Sequence, residues 1–502
     1  MELRTLLSIG LFLIFSSPVL DAAIRQDNHE NAKSAQSDFY QTDSVQSVHL
    51  TISESDRRRM IDALPECIYV PAIFRWRNVE LEKVAIRFKG NSSAQPNQKH
   101  KRSYLVRFDK YEDSQRFLGL RRVSFDNGVQ FGSLFSEPII TEILQAEGLK
   151  THRCNYAKVF LNNEFHGVYV NVERIDSTFL EANFRNASGG LWKNDLGGPG
   201  GNLTFIGNDP KRYEKTFEAK NKAAENRKVL LEFIREINQT SDKDFATMLK
   251  STMDVDQLFR VTAIMLFSGA FDQLTGWNPH NFYLFHESER GRWNYLPWDL
   301  DVGFSETAFG RLRVLEDWDA AWPVPTGVAN PLLERVISDP KLLNQYRKIA
   351  LEVLERRFRP EEICNSIDKK YQLIKEDLVD DPFPKQRATV PGDVGYEEIV
   401  NSMKLFMEKR FEAAKHQLTQ PGPRPVAQSK GRNDGQGVPV ELIGKIKQVE
   451  SNAKQMQLRM RQLQQIMPQV NAHLQKGEFT EAERLLSKAL IISGGVGDEA
   501  NN

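Results

Sequence analysis

Alternating apolar and polar residues predominate in the first half of the chain. Such alternation is typical of a strand with one buried face, whereas spacing of three and four residues is typical of an amphipathic helix. Two helices are predicted among these strands, Glu54–Leu64 with Ser53 as N-cap and Ser136–Glu147 with Gly148 after its end. The predicted strands are Val48–Ile52, Leu81–Phe88, Tyr104–Phe108, Tyr156–Leu161 and Gly167–Val172.

Helical spacing predominates beyond Val229, with one interruption by a predicted strand hairpin. The hairpin consists of Asn281–His286 and Arg292–Leu296, joined by the turn Glu287–Gly291. Because strands and helices are segregated along the chain, the pattern favours a two-lobed α+β protein over an alternating βαβ sheet. The predicted helices are Val229–Ile237, Val255–Ser268, Pro331–Ser338, Leu342–Phe358, Glu361–Leu378 and Glu397–Leu418.

The N-terminal region has the features of an export signal. The apolar run Leu6–Phe15 predicts a signal peptide over residues 1–23, which would send the protein to the periplasm, cell envelope or extracellular space. A short membrane anchor is the alternative, although the run is well below the roughly 20 apolar residues of a spanning helix. Residues 24–46 are polar and are expected to be disordered.

The C-terminal region differs in composition from the body of the chain. Residues 420–440 form a linker rich in proline and glycine, and residues 441–493 are predicted to form a helical hairpin. Apolar residues at three- and four-residue spacing run from Ile446 to Leu474, as in a coiled coil. The hairpin could self-associate or pack on the preceding domain, and a disordered tail is expected at residues 494–502.

Composition and charge exclude several classes of protein. The 502 residues include 67 basic and 67 acidic side chains, so the chain has no net charge to attract nucleic acid or acidic membranes. We therefore expect no nucleic-acid partner, and no integral membrane segment after signal removal. Cys67, Cys154 and Cys364 are too few and too scattered for a disulfide framework or a cysteine-rich zinc site.

The densest group of polar residues lies between Phe271 and Phe304. Asp272 follows an apolar helix, Asn281 begins the hairpin, and Asp299 and Asp301 follow it. On an extended chain the two aspartates would share a face, about 6.5–7 Å apart at Cα. Carboxylates with an amide oxygen suit Mg²⁺ or Mn²⁺ bridged to phosphate better than zinc. A turn-capping aspartate in a salt bridge is the alternative.

A second group lies between Arg87 and Phe108. Gly90 and Asn91 tolerate positive φ, so their backbone amides could curl around a phosphate while the hydroxyl of Ser92 adds a donor. A plain hairpin turn is the alternative. A basic cluster follows, in which an inward-pointing lysine could neutralise phosphate charge: Lys99, Lys101, Arg102 and Arg107. A run of solvent-exposed charges is the alternative.

Glycines are concentrated between Gly189 and Gly201, which predicts a mobile loop without regular structure. Lys193 lies within this stretch and is predicted to face solvent, with a ligand contact as the alternative.

Several blocks in this order resemble the CotH kinase family, the spore coat protein H group of atypical protein kinases. The resemblance covers about Val48 to Leu418. The blocks are RFKGNSS at Arg87–Ser93, KRSYLVRF at Lys101–Phe108, VFLNNEFHGVYVNVERID at Val159–Asp176, GLWKND at Gly190–Asp195, and D…HN…PWDLDVGF from Asp272 to Phe304.

The resemblance implies a divergent protein-kinase-like fold over residues 47–419, with an N-lobe at about 47–175 and a C-lobe at about 176–419. It also implies that ATP and a divalent metal are used to phosphorylate serines on partner proteins. By position, Lys101 would contact the nucleotide phosphates and Glu142 would hold that lysine. Glu173 would lie where the chain passes the adenine.

The same resemblance assigns roles in the second half of the chain. Asp272 would be the catalytic aspartate, Asn281 and Asp299 the metal ligands, and Asp301 an alternative or supporting ligand. These assignments predict an exported kinase that acts on an envelope or coat protein.

Two other functions stay open at this point. Because ATP is scarce outside the cytoplasm, one is a catalytically silent coat, adhesion or scaffold protein. The other is a glycoside hydrolase with paired carboxylates, which would leave Lys101 unexplained.

Overall fold

The structure, a computed structural model, describes residues 34–90, 92–96, 101–128, 133–383, 387, 389–390, 392–393, 395–425, 466, 468–470, 472–474, 476 and 478–493. The chain divides into two units between Val426 and Ala427. The predicted signal peptide, most of the linker, the first part of the hairpin and the tail lie outside the described residues.

Seven strands form a closed barrel in the first part of the chain. Their order is β1-β2-β3-β4-β5-β7-β6, and β6 closes the barrel by pairing parallel to β1, while the other pairs are antiparallel. Closure leaves no unpaired edge strand. The strands are β1 Val45–Thr51, β2 Val70–Trp76, β3 Val79–Lys89, β4 Ser103–Arg107, β5 Arg122–Asp126, β6 Cys154–Leu161 and β7 Glu164–Glu173.

Aromatic side chains fill one end of the barrel. Phe74 lies edge-to-face with Phe117, with ring centroids 4.7 Å apart. Phe39, from a short helix α1 at residues 34–39, packs on Phe117 at 4.9 Å and on Trp76 at 5.4 Å. The prediction of disorder over residues 24–46 was therefore wrong for residues 34–46, because Phe39 is fully buried in this core.

Helices are the main regular elements of the chain from residue 177 to residue 419. α7 lies at their centre, and its residues from Ala263 to Phe267 are fully buried. The predicted helices are confirmed to within about two residues at each end, whereas α4 and α6 were not predicted. The helices are α2 Glu54–Asp62, α3 Ser136–Ala146, α4 Ser177–Asn183, α5 Lys228–Gln239, α6 Asp242–Thr252, α7 Val255–Ser268, α8 Pro331–Ser338, α9 Pro340–Arg357, α10 Pro360–Val379 and α11 Tyr396–Thr419.

A second, four-stranded antiparallel sheet lies among these helices, in the order β11-β10-β8-β9. The predicted hairpin forms β10 and β11. The glycine-rich stretch between residues 189 and 201, predicted to be a mobile loop, instead contributes β8. The strands are β8 Leu191–Asn194, β9 Glu218–Ala219, β10 Phe282–Glu287 and β11 Arg292–Pro297, followed by a separate ribbon of β12 Thr307–Ala308 and β13 Leu312–Arg313. The protein is thus a mixed α+β protein.

The second unit is helical where the structure describes it. Helical residues between 466 and 474 precede α12, Phe479–Ser493. Ile466 and Val470 pack against Ala482 and Leu485. Self-association of this unit stays a prediction. No helix in the described ranges combines the length and apolarity needed to cross a bilayer.

Removing the second unit should leave the first folded. The two large hydrophobic cores of the first unit extend no further along the chain than Leu418. A chain ending at Val426 should therefore melt within about 2 °C of the corresponding transition in the full chain, by calorimetry. A chain ending at Gly395 is the control, because it loses α11 and the buried Phe406, and it should not fold. Aggregation of the Val426 chain would contradict this division.

Candidate functional site

Two polar residues face each other across the loop that follows α7. Asn281 Nδ2 donates a hydrogen bond to Asp272 Oδ2 at 2.8 Å, and both side chains are buried. The other oxygen of Asp272, Oδ1, is buried and has no hydrogen-bond partner in the described chain. Burial raises the pKa of Asp272 to about 7, with a further contribution from Asp299 and an opposing one from His280. Asp272 therefore carries one carboxylate oxygen that is free for a ligand.

Two aspartates lie on the turn after β11. The backbone N–H of Trp298 donates to Asn281 O at 3.0 Å, which holds this turn against the loop after α7. Asp299 has φ +59°, so the chain is not extended here and the separation expected for an extended strand does not apply. The N–H of Ser133 donates to Asp301 O at 3.0 Å, but the side-chain carboxylates of Asp299 and Asp301 have no hydrogen-bond or ion-pair partner among the residues that the structure describes.

The turn lies in a strongly acidic environment. Burial raises the pKa of Asp301 well above its usual range, and Asp299, Asp272, Glu137 and Asp126 raise it further. Burial together with the neighbouring Asp126 and Asp299 also raises the pKa of Glu137, although His152 opposes this. Because these carboxylates repel one another, a bound cation would relieve their repulsion.

Three basic side chains surround the indole ring of Trp298, which is fully buried. Lys89 Nζ, Arg174 Cζ and Lys193 Nζ lie 5.4, 4.5 and 5.6 Å from its ring centroid. Lys193 is only 5% exposed, so the prediction that it faces solvent was wrong. Trp298 directly precedes Asp299, and this cationic group therefore adjoins the acidic turn.

Two of the three basic side chains have acidic partners. Lys89 pairs with Asp126, and Lys193 pairs with Asp195. Burial would lower the pKa of Lys89, but the charges of Asp126 and Asp299 outweigh it and raise the pKa overall. Lys89 is therefore a charged lysine close to Asp299.

Lys101 occupies a different environment from the one predicted. Its ammonium is fully buried, pairs with Asp381 Oδ2 at 2.7 Å, and donates to Val168 O. The structure contradicts the predicted phosphate contact, because this ammonium has no exposed side to offer a ligand. Lys89, two residues before Asn91 in the same RFKGNSS block, supplies the lysine near Asp299 instead.

The two glutamates assigned by the resemblance also have structural partners. Glu142 pairs with Lys370 of α10 at 2.5 Å, so it does not hold Lys101. Glu173 binds Arg153, with Oε1 2.5 Å from Nη2 and Oε2 2.9 Å from Nε, so its carboxylate is not available to a nucleotide. The predicted contact of Glu142 with Lys101 is therefore not formed, and a position of the chain at Glu173 beside an adenine stays a prediction.

The sequence analysis did not identify a buried acidic residue on α3, Glu137, which precedes Glu142 on the same helix. Glu137 is almost fully buried and Oε1 lies 3.0 Å from His152 Nε2, whereas Oε2 has no partner in the described chain. Its position at the start of a predicted helix gave no signal, since an acidic residue there is usually a favourable surface charge.

The loop after β3 is described only in part. Gly90 has φ +108°, and a Cβ at this position would lie 1.9 Å from Ser93 Oγ, so only glycine fits. Arg102 closes the loop by donating to Ser93 O at 2.5 Å and to Gln95 O at 3.0 Å. Asn91 and the side chain of Ser92 lie outside the described residues, so a phosphate cradle there stays a prediction.

The donor set can be compared with the needs of a metal. No three His, Cys, Asp or Glu side chains of the described ranges are grouped as a metal site. Asp299, Asp301 and the amide of Asn281 offer only oxygen ligands. They fit Mg²⁺ or Mn²⁺ if phosphate and water complete the shell, as is usual for Mg²⁺ at phosphate-transfer sites.

The protein class follows from this mixed α+β fold and its charged site, together with comparisons with known proteins. The family model described as CotH kinase protein matches residues 86–413, almost two thirds of the chain. The chain belongs to the CotH kinase family. It is 24% identical over 324 residues to inner spore coat protein H of Bacillus subtilis (strain 168), covering 63% of this chain and 83% of that protein.

Proposed function

We propose that this protein is an ATP-dependent phosphotransferase of protein-kinase type. The barrel would act as one lobe and the helical part as the other, with the nucleotide phosphates between them at Trp298. One observation carries the proposal: a cationic group formed by Lys89, Arg174 and Lys193 adjoins an acidic turn whose two aspartates form no ion pair within the described residues. A polyphosphate carrying a divalent metal complements both.

The cationic group would bind the phosphate chain. Each of its members is held against the ring of Trp298, so little side-chain freedom would be lost when an anion binds. Arg174 can donate two parallel hydrogen bonds to one phosphate, whereas Lys89 and Lys193 act as point charges. The partners Asp126 and Asp195 keep both lysines in place without neutralising Arg174.

Asn281, Asp299 and Asp301 would hold the metal. A bound Mg²⁺ or Mn²⁺ supplies charge neutralisation at the phosphoryl group as it is transferred. The protein's own contribution is to present one amide oxygen and two carboxylates, which have no partners in the described chain, in a partly buried, acidic setting. The resulting repulsion without metal would favour metal binding.

Asp272 would orient the acceptor hydroxyl. Its buried Oδ1 has no partner among the described residues, and Asn281 holds the other oxygen, so the carboxylate can accept one hydrogen bond from a substrate. A pKa of about 7 lies near the working pH, where a general base is most effective. We propose a serine hydroxyl as this acceptor, on a partner protein.

The location of the acceptor is proposed from the relative's name. Inner spore coat protein H is named as a coat component, and a coat or envelope location for this chain would agree with an export signal. An exported or envelope protein with a serine acceptor is therefore the proposed substrate.

A catalytically silent coat or scaffold protein is the second candidate. It is favoured by the lack of a complete three-ligand group of acidic, histidine or cysteine side chains in the described chain. Incubation of the purified protein with γ-labelled ATP, Mg²⁺ and candidate coat proteins separates the two candidates. Label in the chain or in a coat protein supports the enzyme, and none at any metal concentration supports the scaffold.

Asp272→Asn should separate binding from transfer. We expect phosphotransfer to fall at least about a hundredfold, because the acceptor oxygen loses its charge, while the thermal shift with MgATP is retained. Asp209→Asn is the control, since that carboxylate is exposed and only caps a short helix. Equal loss of the MgATP shift in Asp272→Asn would instead show that Asp272 is a metal ligand.

A further inference from the structure

Asn194, at the end of β8, joins two loops beside the site. Its side chain is fully buried. Nδ2 donates to Pro279 O at 3.1 Å and to Gly201 O at 3.2 Å, and Oδ1 accepts from the N–H of Gly197 at 3.0 Å. Both donors of the amide are used. Asn194 therefore links the glycine-rich loop, residues 195–201, to the loop that carries Asp272 and Asn281.

The position of Asn194 on β8 connects it to both charged groups. Successive side chains of a strand point to opposite faces. Lys193 accordingly lies by Trp298 and Tyr283, while Asn194 faces the loop after α7. The pairing of β8 with β10 places Asn194 opposite Phe282, the residue after Asn281. One short strand thus supports the cationic group on one face and the Asp272–Asn281 loop on the other.

The glycines of the 195–201 loop permit this close contact. A Cβ on Gly201 would lie 3.0 Å from Asn194 Nδ2 and 3.3 Å from Pro279 O. Gly197 has φ +67°, a left-handed conformation that favours glycine, and its N–H is the donor to Asn194. The glycine-rich sequence therefore serves to bring backbone against Asn194.

Other elements hold the start and the last residue of the Asp272–Asn281 loop. Gln273 Nε2 donates to Trp298 O at 2.9 Å, Asn330 Nδ2 donates to Leu274 O at 2.8 Å, and the N–H of Trp298 donates to Asn281 O at 3.0 Å. Asn194 holds Pro279, which lies between these contacts. Asn281 has φ +55°, a left-handed conformation that asparagine adopts more readily than most residues but that its surroundings still have to maintain. Two backbone hydrogen bonds near the end of the loop are long, with Asn278 N 3.3 Å from Phe271 O and His280 N 3.4 Å from Asp272 O. The bond from Asn194 to Pro279 O is shorter and lies two residues from Asn281.

We propose that Asn194 is a positioning residue for the phosphotransfer site. By fixing the carbonyl of Pro279, it holds Asn281 where Nδ2 reaches Asp272 and the amide oxygen can reach a metal. Asn194 touches neither substrate nor metal and acts only through this loop. The inference rests on the proposed function, since it assigns a role in metal and nucleotide binding at that site.

The test compares two isosteric substitutions. Asn194→Asp replaces the Nδ2 donor by an oxygen that faces two carbonyls. Asn238→Asp is the matched control, because Asn238 also donates to two carbonyls, Leu203 O at 2.8 Å and Ile234 O at 2.6 Å, and accepts from Phe205 N at 3.2 Å. Asn194→Ser, which keeps one donor, is used if Asn194→Asp does not fold.

Both aspartate variants should melt earlier than wild type. Only the Asn194 variants should bind MgATP more weakly, by about tenfold or more in a thermal-shift titration. They should also exchange the amide hydrogens of residues 276–281 faster, a change that a general loss of stability in Asn238→Asp does not produce.

Three results decide the matter. Wild-type MgATP affinity and wild-type exchange at residues 276–281 in a folded Asn194 variant would overturn the positioning role. An equal loss of MgATP affinity in Asn238→Asp would also overturn it, since the effect would then be general. If wild type shows no MgATP shift, the proposed function fails. Faster exchange at residues 276–281 in the Asn194 variants alone would still support the role of Asn194 in holding this loop.

Discussion

Replacing Lys101 by methionine should lower the free energy of unfolding by about 3–5 kcal/mol, because it leaves the carboxylate of Asp381 buried without a counter-charge. The effect should be large because neither partner of the pair is exposed to water. Asp381 Oδ2 also accepts from the N–H of Val168, so the pair joins the barrel to the chain after α10. Urea unfolding monitored by circular dichroism measures the change.

Two further variants test whether the loss of stability comes from the unpaired buried charge of Asp381. Adding Asp381→Asn to Lys101→Met should recover part of the loss, since an amide oxygen can still accept from Val168 without a buried charge. Lys158→Met is the matched control, because its pair with Asp377 at 3.1 Å also joins the barrel to α10 but is about 30% exposed. It should cost less than about 1 kcal/mol. Wild-type stability with lost MgATP binding in Lys101→Met would restore Lys101 as a phosphate ligand.

Replacing Asp299 by asparagine should reduce phosphotransfer by about a hundredfold to a thousandfold and remove the stabilisation by MgATP. The apoprotein should be at least as stable as wild type. Asp299 raises the pKa of both Asp272 and Asp301, which shows that its charge repels its neighbours. Labelled-ATP transfer and melting curves with and without MgATP measure the two effects.

Asp317→Asn is the matched control for Asp299. Asp317 forms an exposed pair with Arg313 at 2.7 Å, so its loss also removes one carboxylate but should change neither transfer nor the MgATP shift. An Asp299→Asn chain that loses transfer only because it melts earlier would contradict the assignment of Asp299 as a metal ligand. A full MgATP shift in that variant would contradict it as well.

The choice between Lys89 and Lys101 could not be made from local sequence. Both lysines lie in motif blocks of the first half of the chain, and each borders a predicted strand. Lys101 is buried by Asp381, which is 280 positions away in sequence. Lys89 stays charged because Asp126 and Asp299, which belong to separate elements, lie close to it and raise its pKa. Only the folded chain brings these partners together.

The barrel was missed for a related reason. Five of its seven strands were predicted, each one singly, whereas β2 and β5 were not; β2 contains Pro71, which weakens a strand prediction. Closure depends on β1 pairing parallel with β6, about 110 positions later. No local pattern contains that pairing, because it satisfies the backbone groups of two distant segments.

The sequence by itself determined where most of the helices lie, the order of strand-rich and helical regions, the family, and the residues Asp272, Asn281, Asp299 and Asp301 as a group. These features depend on side-chain periodicity and on motifs within about thirty residues, which a single chain displays directly. The tertiary structure alone decided which lysine is buried and which adjoins Asp299, and that Asn194 supports the loop. Burial and charge pairing depend on which segments are in contact in the folded chain. The local sequence around each residue does not reveal which distant segment it contacts.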